Sequence, residues 1–167
     1  MNVVSGEPME IIKLHRDALT RRLFFQLVEI EANCGLPAYP PELLMECIEY
    51  ADTYACMDDE IVAGFITVQP DSRYQGGCVY IVNVNVEKHF RRMGVARRLI
   101  LDACGRYAAT HAEEMVLLDV TRTNTPAWNL YHSLGFRETN LPSGNGPTDA
   151  VLAIPLKELL ARNHTAE

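Results

Sequence analysis

Residues 78–96 read Cys78-Val-Tyr-Ile-Val-Asn-Val-Asn-Val-Glu87, then Lys88-His-Phe-Arg-Arg-Met-Gly-Val-Ala96, and the join between these halves decides the fold. The first half is dense in β-branched residues and reads as the strongest strand of the chain. Beyond the join, Val95, Leu99 and Ala103 recur in helical register, which predicts a helix from about Gly94 to Thr110. Residues 115–121 read as the next strand. A strand, helix, strand unit closes as a right-handed parallel crossover.

Outward from this centre the chain has no repeat, no low-complexity run and no linker. Residues 9–14 form a short apolar run suited to a first strand. Leu19, Leu23, Leu27 and Ile30 recur at helical spacing from Arg16 to about Asn33, where Asn33-Cys-Gly-Leu-Pro37 breaks the pattern. Pro41 starts a second helix, with Leu44, Ile48 and Ala51 on one face. Residues 53–57 and 61–69 flank Asp58-Asp59-Glu60 as a hairpin. A polar loop spans 70–77. A short helix over 127–134 ends at Gly135, and residues 136–139 and 150–154 are the last strands. The tail from Asn163 to Glu167 is expected to fray. The fold class is therefore α/β, an α+β mixed sheet flanked by helices, in a single domain over residues 1–167.

Composition narrows the function. The chain has 167 residues, 48% hydrophobic and 22% charged, with a net charge of −7. A phosphate polymer needs clustered cations over a wide face, so nucleic acid is not an expected partner. No apolar stretch is long enough to cross a membrane and no leader segment precedes the first strand, so the expected location is the cytoplasm. Five cysteines are scattered singly, which reads as reduced thiols. The five histidines are equally dispersed, so no metal site is expected. One local departure from acidity remains. Arg91, Arg92, Arg97 and Arg98 lie within eight positions.

Those arginines sit where a strand meets a helix. The first turn of a helix leaves N–H groups without partners, and its dipole end is positive. Gly94 and Ala96 present almost no side chain, so a phosphate can approach the backbone. Neither a Walker A loop nor a dinucleotide fingerprint is present. A tight turn with solvated arginines is the competing reading of this segment alone.

Arg91-x-x-Gly94-x-Ala96 resembles the acetyl-CoA signature Gln/Arg-x-x-Gly-x-Gly/Ala of the GNAT superfamily of N-acetyltransferases. The approach Val86-Glu-Lys-His-Phe90 is similar to that family's Val-x-Pro-x-Tyr, with Lys88 for the proline and Phe90 for the tyrosine. Downstream, Leu118-x-Val120-x-x-x-Asn124-x-x-Ala127-x-x-x-Tyr131-x-x-x-Gly135-Phe136 is similar to its second motif, and Ala63-Gly64-Phe65 to its hairpin strand. The resemblance covers about residues 9–155 and implies a GNAT-type fold. It also implies acetyl-CoA as co-substrate: the pantetheine arm beside Asn85 and Val86 where the central strands splay, and the pyrophosphate on the N–H groups of Arg92, Met93, Gly94, Val95, Ala96 and Arg97.

The same resemblance gives Tyr131 the role of general acid toward the leaving thiolate, with aromatic packing as its alternative, and makes Asn124 a cofactor contact that also suits a helix N-cap. Asp119 stands where family members that acetylate protein N-termini carry a carboxylate, and is the candidate base, with a strand carboxylate hydrogen-bonded to a neighbour as its alternative. Glu87 and His89 rival it, and Asn85 is a residue that positions water. Trp128 lines a pocket or packs in the core. Tyr39, in the segment 35–41, is a substrate contact. Glu29, Glu31, Glu42 and Glu46 read as a solvated helix face able to attract a cation. The expected reaction is transfer of acetyl to a primary amine of a small molecule. Acetylation of a protein N-terminus or lysine and a non-catalytic acyl-CoA-binding module stand as alternatives, and a homodimer stays open.

Overall fold

The described residues, 6–34, 38–74, 77–111 and 114–163 of a computed structural model, group into two units. One comprises Met1–Val68 with Asn83–Asp102, the other Gln69–Val82 with Ala103–Glu167. The strands β1 (Glu10–Lys13), β2 (Asp52–Asp58), β3 (Ile61–Asp71), β4 (Cys78–Val86), β5 (Met115–Thr121), β6 (Arg137–Glu138) and β7 (Asp149–Pro155) belong to one seven-stranded mixed sheet in the order β1-β2-β3-β4-β5-β7-β6.

In the first unit, Thr20 resets the start of the first helix. Its Oγ1 accepts from the Leu23 N–H at 3.1 Å, so α1 spans Arg21–Ala32, later than the periodicity from Arg16 predicts. Residues Arg16–Ala18 form a separate 3-10 turn. Pro41 begins α2, Pro41–Tyr50. Leu27 and Ile30 of α1 meet Leu44 and Ile48 of α2 in one apolar cluster with Ala55, Val62 and Phe65. Each such large side chain stabilises by about 1.5–3 kcal/mol when fully buried. The strands under these helices are β1, Glu10–Lys13, β2, Asp52–Asp58, and β3, Ile61–Asp71. Both neighbouring pairs are antiparallel, with a register shift between Cys56 and Met57.

Strand β4 is Cys78–Val86 and helix α3 is Val95–His111. At Gly64 of β3, an added Cβ would lie 2.7 Å from the Asn85 carbonyl oxygen and 3.1 Å from Val95 Cγ1. Only glycine lets the end of β4 pass so close, which gives the Ala63-Gly64-Phe65 run its physical meaning.

In the second unit, β5, Met115–Thr121, pairs parallel with β4 over Cys78–Ile81 opposite Met115–Leu118, and the register stops there. On its other side β5 pairs antiparallel along its whole length with β7, Asp149–Pro155. The two-residue β6, Arg137–Glu138, joins β7 at the edge. Helix α4, Thr125–Leu134, is capped by Asn124 and ends at Gly135, whose φ of +101° suits glycine alone. A fifth helix, α5, Leu156–Asn163, was not expected; Leu156 and Leu159 bury it although the segment is short. Among the described residues no helix is long and apolar enough to cross a membrane. The tail expected to fray begins at Asn163, which instead ends α5; residues 164–167 lie outside those described, as do Gly35 to Pro37 of the segment 35–41.

Candidate functional site

The segment between β4 and α3 is built by backbone conformation. Gly94 has φ +77° and a Cβ there would meet no atom within 4 Å, so its backbone face is open. Arg92, two residues earlier, holds φ +64° with a full side chain. A non-glycine residue in that region costs about 1–2 kcal/mol. Helix α3 makes its first bond from the Arg98 N–H to the Gly94 carbonyl at 3.0 Å. The N–H groups of Val95 and Ala96 therefore precede the helical ladder and are free of it. Arg91, Arg92 and Met93 are exposed, and Val95 is buried. These features fit an anionic group laid on the backbone.

Arg91 does something the sequence did not foretell. Its Nε donates to the Val86 carbonyl at 3.2 Å and its Nη2 to the Asn33 carbonyl at 3.3 Å, so this guanidinium closes the turn. Glu87 and His89, two rival bases, bind each other: the His89 N–H donates to Glu87 Oε2 at 2.7 Å, and Nδ1 lies 3.0 Å from Oε1. A cavity of about 280 Å³ lies beside this turn, lined by residues that include Glu29, Asn33, Val62, Val86, Lys88 and Arg91. Asn85 is half-buried, and its Nδ2 donates to Glu31 Oε2 at 2.5 Å. Glu31 is only 4% exposed, which corrects its reading as part of a solvated face; Glu29, Glu42 and Glu46 are exposed.

In the second unit, Asp119 sits on β5 with its side chain 6% exposed. Its Oδ2 accepts from the Tyr80 hydroxyl at 2.5 Å, and Arg73 Nη1 lies 3.5 Å away. Arg73 is held by Asp71 and places its guanidinium carbon 4.4 Å from the centre of the Tyr80 ring. Asp119 Oδ1 is buried and has no hydrogen-bond partner among the described residues. Burial, and then the Asp119 carboxylate, push the Tyr80 phenol well above its ordinary range, so this hydroxyl is a lasting donor. Tyr80 was missed from the sequence. Its only signal was being a polar-tipped aromatic in the strongest strand, and its partner lies 39 positions away.

Tyr131 is 7% exposed and meets Phe136 edge-on, with ring centroids 5.9 Å apart. Burial pushes its phenol up to about 12. Asn124 caps α4, its side chain accepting from the Ala127 N–H at 3.4 Å. Trp128 is partly exposed and stacks on His132, with ring centroids 4.7 Å apart. Among the described residues no cluster of three or more His, Cys, Asp or Glu could hold a metal ion.

Residues 22–136 match the model of the acetyltransferase (GNAT) family. The chain belongs to that family. This GNAT chain is an acetyltransferase with acetyl-CoA as co-substrate. It is 29% identical over 153 residues to an N-alpha-acetyltransferase of Sulfolobus acidocaldarius, covering 88% of this chain and 86% of the relative. Among solved structures, it is similar to the NatC complex bound to Gag peptide and CoA, with a TM-score of 0.69 and 25% identity over 88% of this chain and 99% of that one. It shares its fold with the ribosomal-protein-S18-alanine N-acetyltransferase of Escherichia coli, at a TM-score of 0.66 and 19% identity over 88% and 94% of the two chains.

Proposed function

We propose that this acetyltransferase moves the acetyl group of acetyl-CoA onto the N-terminal α-amine of a peptide or protein, with residues 1–167 acting as one GNAT domain. The observation that carries the acceptor class is the 29% identity to an N-alpha-acetyltransferase across 88% of the chain. The small-molecule acceptor expected from the sequence gives way to it. Amine chemistry supports the change. An α-amine with a reference pKa near 8 is roughly one-quarter neutral at pH 7.5, whereas a lysine amine near 10.4 is neutral in about one molecule per thousand.

The roles are assigned residue by residue from the family match and the geometry. The N–H groups from Arg92 to Arg97, opened by Gly94 and Ala96, hold the pyrophosphate, with exposed Arg92 and Arg98 adding charge. The backbone groups of Asn85 and Val86, together with Asn124, hold the pantetheine arm. The neutral amine attacks the thioester carbonyl carbon, a C–N bond forms, the C–S bond breaks, and the thiolate leaves. Asp119 receives the proton the amine loses. Tyr80 fixes that carboxylate through Oδ2, and the unengaged Oδ1 has capacity to accept.

Tyr131 acts differently from a full proton donor. Burial pushes its phenol up to about 12, above the reference thiol value near 8.5, so it donates a hydrogen bond to the thiolate more readily than its proton. Tyr131 therefore stabilises the thiolate by a hydrogen bond and stays neutral. The five free cysteines support the cytoplasm as the working compartment.

Thiol release measured over a panel of free-N-terminus peptides and small primary amines tests the acceptor. Peptides should exceed the best small amine at least tenfold in kcat/KM. A small amine that matches them would sink the N-terminal reading.

A further inference from the structure

The end of β4 holds an oriented side chain that the donor grip does not use. Glu31, in the last turn of α1, is buried, and both carboxylate oxygens are engaged: Oε1 accepts from the Tyr39 N–H at 3.0 Å and Oε2 from Asn85 Nδ2 at 2.5 Å. Burying a carboxylate costs several kcal/mol before its hydrogen bonds offset the loss. Burial accordingly holds the Glu31 carboxyl above its usual range, opposed by those two bonds. A helix end needs no such group for stability, since an apolar residue there would avoid the cost.

The chemistry of the pair is directional. An ionised carboxylate only accepts, so Asn85 is forced to turn its NH₂ to Glu31 and its Oδ1 the other way. Asparagine amides otherwise leave that orientation undetermined. The Asn85 backbone is held as well, since its carbonyl lies against Gly64. One half-buried residue thus presents a fixed carbonyl-type acceptor, beside Val86 in the strand segment assigned to the acetyl-CoA arm.

We propose that Glu31 is a positioning residue for the acceptor: it locks Asn85 so that Oδ1 accepts a hydrogen bond from an N–H of the incoming amine. The inference rests on the N-terminal acetyltransferase reading. The same Oδ1 could instead meet an amide N–H of acetyl-CoA, and kinetics separate the two.

Glu31→Gln keeps the shape but lets the Asn85 amide rotate, offering NH₂ where the amine needs an acceptor. The KM for a peptide that the wild type acetylates should rise about tenfold, the loss of one hydrogen bond, with the KM for acetyl-CoA within about twofold. Glu31→Gln combined with Asn85→Asp reverses the bond. The amide now at position 31 donates and the carboxylate now at position 85 keeps a free acceptor oxygen, so the peptide KM should return to within about threefold of wild type. A rise in the acetyl-CoA KM equal to that for the peptide overturns the proposal, as does a double variant no better than Glu31→Gln. Asn85→Ala guards against a misfolded Glu31 variant: it too should raise the peptide KM, and an unchanged value overturns the proposal. The Asn85 side-chain ¹⁵N resonance provides a readout free of turnover. It should move in Glu31→Gln, and an unmoved resonance overturns the proposal whatever the enzyme acetylates. A moved resonance in a protein that acetylates no peptide leaves the locking intact and removes the N-terminal reading alone.

Discussion

Two buried carboxylates, one in each unit, are handled in opposite ways. Glu31 has both oxygens occupied by N–H donors, from Tyr39 and Asn85. Asp119 has one oxygen tied to the Tyr80 hydroxyl and the other buried with no partner among the described residues. A carboxylate whose acceptor capacity is filled holds other groups in place. One with an unengaged oxygen still has a lone pair free to accept a hydrogen bond. The contrast divides the chemistry: changes around Glu31 and the end of β4 should move substrate affinity, and changes around Asp119 should move the rate of the chemical step.

The largest expected effect breaks the second half of that contrast. Asp119→Asn should lower kcat by about 100-fold or more, the usual worth of a positioned proton acceptor, with acetyl-CoA affinity within about twofold by calorimetry. A kcat within about threefold of wild type would make Asp119 a structural strand carboxylate. Next comes Gly64→Ala, whose Cβ would sit 2.7 Å from the Asn85 carbonyl oxygen. Overpacking of this kind costs about 1–3 kcal/mol. A thermal melt should show that loss, and acetyl-CoA should bind about tenfold more weakly, because the displaced backbone belongs to the proposed donor grip. Unaltered acetyl-CoA binding by the folded variant would separate the end of β4 from the donor.

Smaller still is Tyr131→Phe, which removes one hydrogen bond to the thiolate and should cut kcat by about five- to tenfold with KM for acetyl-CoA unchanged. In the wild type, the phenol near 12 stays protonated through the working range, so the pH–rate profile should show no fall from Tyr131 below about pH 11. A Tyr131-dependent fall near pH 9 would restore full proton donation. The smallest effect is a slope in stability. The folded-state pKa of Glu31 is raised, so the native state holds that proton more tightly than the unfolded chain. Its contribution is present below the ordinary value of 4.5 and is lost as pH rises through the higher folded value. Glu31→Gln should therefore gain stability relative to wild type as pH climbs through that window, as read in urea midpoints. A flat difference would mean that burial does not perturb this carboxyl.

What the sequence disclosed follows from the range of the interactions. The β4 to α3 join was readable because Gly94 and the helix start are local, and Asn124 and Gly135 marked α4 for the same reason. The strand segments were readable from apolar and β-branched runs and turn residues. Tyr80 stayed hidden because its meaning depends on the parallel register that brings it to Asp119. Glu31 was misjudged because, next to Glu29, its charge pattern reads as solvated, and only the distant Asn85 and the Tyr39 N–H make burial tolerable. Arg91 entered through the Arg91-x-x-Gly94-x-Ala96 spacing, and its reach to the Val86 and Asn33 carbonyls depends on the fold. Helix α5 was overlooked because eight residues carry too little periodicity to stand out.

The most direct measurement maps the product. A peptide with a free N-terminus and one internal lysine is incubated with enzyme and acetyl-CoA, beside the same peptide with its N-terminus blocked, and fragment masses locate the added acetyl group. N-terminal acetyl transfer predicts one acetyl on the α-amine of the free peptide and none on the blocked one. Acetylation of the lysine in the blocked peptide at a comparable rate would contradict it.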